Sequence, residues 1–141
     1  MMTCLLPLLV LVFSPIAILS GNPPECTDTD QEFTKSLREK VYSEIVGKLG
    51  VELQYDCGLE KRAWKQLILV DKSFWPLPNG AYEKEVKNWP INGLLSPRTF
   101  FQTVFALWKD SYDQMKKKSK FGCMVQALYI LEKFRVNCIF L

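Results

Sequence analysis

The chain has 141 residues, a net charge of +3 and no histidine, and these facts exclude several classes of function. Without imidazole it cannot assemble Ser-His or Cys-His nucleophile pairs or the usual zinc ligand sets. Its 18 basic and 15 acidic residues are interspersed, which neither indicates nucleic-acid binding nor marks a catalytic pair of carboxylates. We therefore expect a protein that is not an enzyme, with no cofactor and no nucleic-acid partner.

The N-terminal residues 1–20 are typical of a secretory signal peptide. Residues 4–20 are uncharged, and prolines at Pro7 and Pro15 interrupt the apolar run. That run is shorter than the roughly 20 residues that a membrane-spanning helix needs. Ile18 and Ser20 suit the −3 and −1 positions of a signal peptidase site. The pattern predicts a secreted, extracellular protein with no membrane span after cleavage, the alternative being a retained membrane anchor.

Four cysteines remain in residues 21–141, which are long enough for a single domain. They are Cys26, Cys57, Cys123 and Cys138. An even set of cysteines in an oxidising compartment predicts two disulfides. Four cysteines allow three pairings, and the sequence does not choose among them; a bond between Cys26 and Cys57 would contribute about 3 to 4 kcal/mol in the chain-entropy model.

A first amphipathic helix is predicted over about residues 30–48. Thr29 and Glu32 have the spacing of a capping box, and Gly47 and Gly50 indicate the end of the helix. Apolar residues recur every four positions, as Phe33, Leu37, Val41, Ile45 and Leu49. The opposite face, which we expect to be solvated, carries Lys35, Arg38, Glu39 and Lys48.

A short extended segment and a second helix are predicted next. Residues 51–55 alternate between apolar and polar, and Asp56 can cap the helix that follows. Its apolar positions are Leu59, Ala63, Leu67 and Val70. Residues 71–96 are rich in proline, glycine and asparagine and are predicted to be a long irregular loop, held to the core by Trp75 and Trp89.

A third helix and two strands complete the predicted elements. Ser96 followed by Pro97 is a strong helix start signal. The broad apolar face of this helix comprises Phe100, Phe101, Val104, Phe105, Leu107, Trp108 and Tyr112. Alternating residues predict strands within 121–126 and 134–140, joined across residues 127–133, where a helical turn is the alternative.

A lysine run lies between the third helix and these strands. It comprises Lys116, Lys117, Lys118 and Lys120. Such a run could contact sulfated sugars or acidic phospholipid at a cell surface. A solvated loop between two elements is the favoured alternative.

Several motifs resemble the CAP superfamily, also called SCP/TAPS, and within it the Ancylostoma secreted protein-related branch of nematodes. The most specific is Tyr55-Asp56-Cys57-Gly58-Leu59-Glu60, followed by Ala63. The others are Cys26 before the Arg38-bearing helix, Trp108 with Asp110 two residues on, Gly122-Cys123, and Val136-Asn137-Cys138.

The resemblance implies an α+β fold, a shortened α-β-α sandwich of about three helices and a small antiparallel sheet, stapled by disulfides. Relatives with a metal-capable cavity supply two histidines and two acids, whereas this chain offers only Asp110, so no metal site is implied. The function implied is that of a secreted, non-enzymatic protein that contacts an extracellular protein partner, at a host–parasite interface. The alternative is a small lipid or sterol carrier, because some relatives bind such ligands and 48% of the residues are hydrophobic.

Overall fold

The computed structural model describes residues 23–27, 29–93 and 96–141, so the predicted signal peptide lies outside the described residues. In chain order the helices and strands are α1 (Lys35–Leu49), β1 (Gln54–Tyr55), α2 (Cys57–Ile68), β2 (Tyr82–Pro90), α3 (Pro97–Leu107), α4 (Tyr112–Met115), β3 (Lys120–Leu128) and β4 (Lys133–Phe140). Short 3-10 turns occur at Lys72–Phe74, Lys109–Ser111 and Tyr129–Leu131. No helix in the described part of the chain is both long and apolar enough to cross a membrane.

The four strands form one mixed sheet in the order β1-β3-β4-β2. Strands β3 and β4 are antiparallel from the Phe121–Phe140 pair to the Leu128–Lys133 pair. Strand β2 adds antiparallel to β4, and β1 adds two residues parallel to β3. This parallel pair departs from the small antiparallel sheet that the resemblance implies.

Helices cover both faces of the sheet, which explains why β3 and β4 are buried along almost their whole length. Helix α2 packs on the face that carries Gly122. On the other face, Phe121 stacks on Tyr42 of α1, and Phe134 stacks on Phe100 of α3. The fold is therefore the predicted α+β, α-β-α arrangement, with three long helices and the one-turn α4.

Local capping signals place α2 and α3 where the sequence predicts them. The Asp56 carboxylate accepts a hydrogen bond from the backbone N–H of Leu59 at 2.9 Å. The Ser96 hydroxyl accepts one from the N–H of Thr99 at 3.2 Å. Each bond satisfies a backbone donor that has no partner within the first helical turn.

Helix α1 departs from its prediction at both ends and on one face. It begins after Thr34, whose hydroxyl caps the N–H of Leu37, because the predicted capping-box segment forms a turn instead. Gly50, with φ of 64°, ends the helix, whereas Gly47 lies within it. The predicted solvated position of Arg38 is wrong, since its side chain is buried.

The prediction of a long loop over residues 71–96 is wrong for Tyr82–Pro90, which form β2. Four charged residues obscure its pattern: Glu83, Lys84, Glu85 and Lys87. The strand exists because β4 offers a free edge of backbone donors and acceptors, and an edge strand tolerates charges and a terminal proline. Trp89 packs near Phe100, as expected, but Trp75 is partly exposed. Val70 and Leu107, predicted on apolar faces, are exposed.

Candidate functional site

The structure joins the four predicted cysteines into two disulfides. Cys26 bonds to Cys57 and ties the N-terminal segment to the first residue of α2. Cys123 bonds to Cys138, the residue directly opposite it on the neighbouring strand. In the described residues every cysteine is therefore a structural element and none is a free nucleophile.

Removing the first disulfide is expected to lower the free energy of unfolding by about 3 to 4 kcal/mol, because it closes a long loop in the unfolded chain. The double variant Cys26→Ala with Cys57→Ala should therefore unfold at lower urea concentration, as measured by circular dichroism. A loss below about 1 kcal/mol would show that the N-terminal segment docks without the bond.

The lysine run is divided between solvent and structural contacts. Lys116 and Lys117 are exposed. Lys118 donates a hydrogen bond to the carbonyl of Gly80, and Lys120 lies 3.3 Å from the Asp56 carboxylate. Two of the four ammonium groups thus have partners within the domain, and a contact between this run and another molecule remains a prediction.

A buried ion pair connects α1 to α2. The guanidinium of Arg38 donates two hydrogen bonds to the Glu60 carboxylate, at 2.6 and 2.8 Å, and a third to the carbonyl of Phe33 at 3.4 Å. The hydroxyl of Tyr55 donates to the same carboxylate and lies 3.2 Å from the carbonyl oxygen of Cys123. Arg38 is 2% exposed and Glu60 is fully buried, so no substrate can reach this cluster.

Burial and the charge of Glu60 hold the pKa of Tyr55 well above its ordinary value. The hydrogen bond from Arg38 to Glu60 raises the pKa of the guanidinium. Tyr55 therefore stays a hydrogen-bond donor and Arg38 stays charged at any physiological pH. The cluster is a structural brace, because its three side chains are buried and bonded to one another.

The Tyr-Asp-Cys-x-Leu-Glu motif now has a structural explanation at each position. Tyr55 and Glu60 belong to the brace, Asp56 caps α2, and Cys57 forms a disulfide. Leu59 is buried in the core. The most specific motif of the sequence thus specifies the fold rather than a reaction.

A second charged cluster lies between β2 and the 3-10 turn at Lys72–Phe74. The ammonium of Lys72 lies 2.9 Å from Glu85 and 3.5 Å from Glu83. The buried amide of Asn137 donates to both carboxylates. Burial would lower the pKa of Lys72, but the hydrogen bond to Glu85 and the two negative charges outweigh this effect and raise it.

This second cluster offers no metal centre. The carboxylates of Glu83 and Glu85 already share the ammonium of Lys72. Asp110 is the one acid that the resemblance matches to the relatives' cavity, and it is exposed elsewhere, in the Lys109–Ser111 turn. Within residues 23–27, 29–93 and 96–141, no three Cys, Asp or Glu side chains converge as metal ligands. The described residues thus do not form the donor set that a resident metal ion needs.

A cleft of about 630 Å³ opens beside β1. It is lined by Pro24, Tyr42, Glu52, Leu53, Gln54, Tyr55 and Ser119. Burial and the charge of Glu52 raise the pKa of Tyr42. The hydroxyl of Ser119 donates to the carbonyl of Leu141 at 3.2 Å, so it is not paired with a base.

Three adjacent apolar side chains project into solvent at the turn between β3 and β4. We call Tyr129, Ile130 and Leu131 the apolar tip; they are 65%, 98% and 60% exposed. The turn is held by a bond from the N–H of Glu132 to the carbonyl of Tyr129, and another from the N–H of Ile91 to the carbonyl of Glu132. The tip is therefore an exposed apolar patch on a turn that backbone hydrogen bonds hold in place.

The sequence indicates neither the brace nor the apolar tip as a site. Arg38 lies among lysines and glutamates in the sequence, so only its spacing of three and seven residues from Val41 and Ile45 places it on the buried side of the helix. Residues 127–133 are predicted as the connection between two strands, with a helical turn as the alternative, and the structure places a 3-10 turn at Tyr129–Leu131. The exposure of its three side chains follows from the register of β3 with β4, which ends at the Leu128–Lys133 pair.

The comparisons with known proteins agree with this architecture. The family described as Ancylostoma-associated secreted protein related matches residues 26–140. The structure is similar to that of the Ancylostoma-secreted protein Ac-ASP-7, with a TM-score of 0.52 and 17% identity over 84% of this chain and 73% of that one.

A structure described as manganese-bound Ac-ASP-7 gives a TM-score of 0.54 with 16% identity over the same shares of the two chains. At these identities the likeness concerns the fold. No curated protein matches the chain. Since the family match spans both disulfides and, among the described residues, α1, α2, α3 and every strand, the chain belongs to the Ancylostoma-associated secreted protein related family.

Proposed function

We propose that this protein is secreted and acts without catalysis, by binding an extracellular protein partner at a host–parasite interface. The family, the predicted signal peptide and the two disulfides all support an extracellular location. The apolar tip is the observation that carries the proposal, because packing within the fold does not explain the exposure of three adjacent apolar side chains.

The chemistry of the tip suits a protein contact. Tyrosine is enriched among the residues that dominate the binding energy of protein interfaces. The side chain of Ile130 is almost entirely exposed, so nearly all of its apolar surface can be buried in a pocket of the partner. The backbone bonds that hold Glu132 fix the turn before binding, so little conformational entropy is lost on association. The tip is therefore a preorganised anchor for a complementary apolar pocket.

The proposed absence of catalysis is supported by the ion pairs and hydrogen bonds that already engage the reactive side chains. Glu60 is enclosed in the brace, Glu83 and Glu85 share the ammonium of Lys72, and Ser119 is bonded to a carbonyl. A lipid or sterol carrier remains a prediction without a specific observation in its favour, since acidic and polar side chains line the cleft beside β1.

Replacing the tip is expected to weaken partner binding by about tenfold or more. The variant carries Tyr129→Ser, Ile130→Ser and Leu131→Ser, which remove apolar surface that lies outside the core. The disulfide-bonded protein would be immobilised and exposed to host plasma and cell-surface proteins, and Kd would be measured by biolayer interferometry for any partner that binds saturably.

Leu107→Ser is the matched control, because Leu107 is 64% exposed but lies on α3 rather than on the tip. It should leave Kd unchanged. If no saturable partner is recovered, the proposed function fails. If the tip variant and the control bind equally well, the partner contacts another surface.

A further inference from the structure

The outer side of α2 and the chain that packs beside it form a second exposed surface. We call Lys61, Arg62, Trp64, Lys65, Ile68, Phe74 and Trp75 the basic aromatic face. Trp64 and Ile68 are four residues apart and lie on one side of the helix. The Lys65 ammonium lies 4.8 Å from the ring centre of Trp64 and 5.9 Å from that of Trp75.

Two hydrogen bonds hold the segment that carries Phe74 and Trp75 against α2. The amide of Gln66 donates to the carbonyl of Trp75 at 2.6 Å, and the guanidinium of Arg62 donates to the carbonyl of Pro76 at 2.7 Å. Phe74 is 76% exposed beside them, and Ile68 is 41% exposed. The aromatic rings are thus presented to solvent by fixed backbone.

The charge on this face is almost entirely positive. Lys61, Arg62 and Lys65 lie on α2, and none of them forms an ion pair with an acid among the described residues. Glu60, the one acid of the helix, points to the opposite side and is paired with Arg38. The exposed Asp71, whose carboxylate accepts from the N–H of Ser73, is the acid that follows the helix.

We propose that the basic aromatic face binds the surface of an anionic phospholipid bilayer. Exposed aromatic and aliphatic side chains beside cations are the combination that inserts into the headgroup region while the cations contact lipid phosphates. The three cations of α2 are complementary to the negative surface of such a bilayer, to which each basic residue near the surface adds attraction. This inference concerns α2 and goes beyond the proposed function, which rests on the apolar tip.

Vesicle binding of the disulfide-bonded protein tests the proposal. Sedimentation should show binding to vesicles that contain phosphatidylserine, much weaker binding to pure phosphatidylcholine, and release by added salt. The variant Lys61→Gln with Lys65→Gln should reduce the partition coefficient about fivefold for each cation removed, or about 25-fold in total. Phe74→Ser should reduce it by about tenfold or more.

The matched control is Lys116→Gln with Lys117→Gln, which removes the same charge from two exposed lysines that lie between α4 and β3 rather than on α2. It should bind vesicles like the unmodified protein. Brominated lipid should quench the fluorescence of Trp75, so the Trp75→Phe variant should show less quenching than the unmodified protein. An equal loss in control and test variants, binding unaffected by Phe74→Ser, or binding only to sulfated glycan or protein would overturn the proposal.

Discussion

Replacing Glu60 with glutamine is expected to destabilise the fold by about 3 to 5 kcal/mol. The carboxylate accepts two hydrogen bonds from Arg38 and one from Tyr55 in an environment that excludes water. Glutamine keeps the shape but leaves the guanidinium charge of Arg38 buried without a counterion. Urea unfolding followed by circular dichroism measures the loss, which should appear as a lower midpoint with an unchanged slope.

A surface ion pair provides the control. Lys48 lies 3.5 Å from Glu44, four residues before it on the same helix, and its side chain is 45% exposed. Glu44→Gln should therefore cost less than about 1 kcal/mol. A double variant, Arg38→Met with Glu60→Leu, should recover much of the stability lost in Glu60→Gln, because no charge is then buried. Equal costs for Glu60→Gln and Glu44→Gln would refute a structural role for the brace.

The elements that could be predicted from the sequence are those that depend on local chemistry. Asp56 and Ser96 mark the starts of α2 and α3, because a side-chain cap acts within three residues. The four-residue apolar repeat correctly places Val41 and Ile45 in the core. The alternation around Cys123 and Cys138 correctly predicts the two central strands. Resemblance to a family supplied the layer arrangement.

The remaining features depend on partners that are distant in sequence. Strand β2 forms through pairing with β4, although its own charged residues disfavour a strand. Arg38 is buried because Glu60, 22 residues away, neutralises it. Ile130 is exposed because the strand register ends at Leu128, which pairs with Lys133 on the neighbouring strand. The brace and the apolar tip are therefore properties of the assembled sheet and helices.

Replacing Gly122 with alanine is expected to cost more than about 4 kcal/mol, beyond the usual range for overpacking. An added Cβ would lie 2.6 Å from the carbonyl carbon of Leu59 and 2.7 Å from the carbonyl oxygen of Asp56, and it would also overlap the backbone nitrogen of Glu60. All three are backbone atoms of the start of α2, so no flexible side chain can move aside.

The first turn of α2 would have to separate from β3, and that movement would also pull Glu60 away from Arg38. Thermal and urea unfolding would detect the loss, and a variant that secretes poorly would be examined after refolding. Gly47→Ala is the matched control: no atom lies within 4 Å of its added Cβ, and its helical position favours alanine by about 0.5 to 1 kcal/mol. Opposite signs for the two substitutions would show that contact with α2, rather than glycine's flexibility, is what position 122 requires. Equal effects of the two substitutions on stability would mean that β3 and α2 are farther apart than the distances at Gly122 indicate.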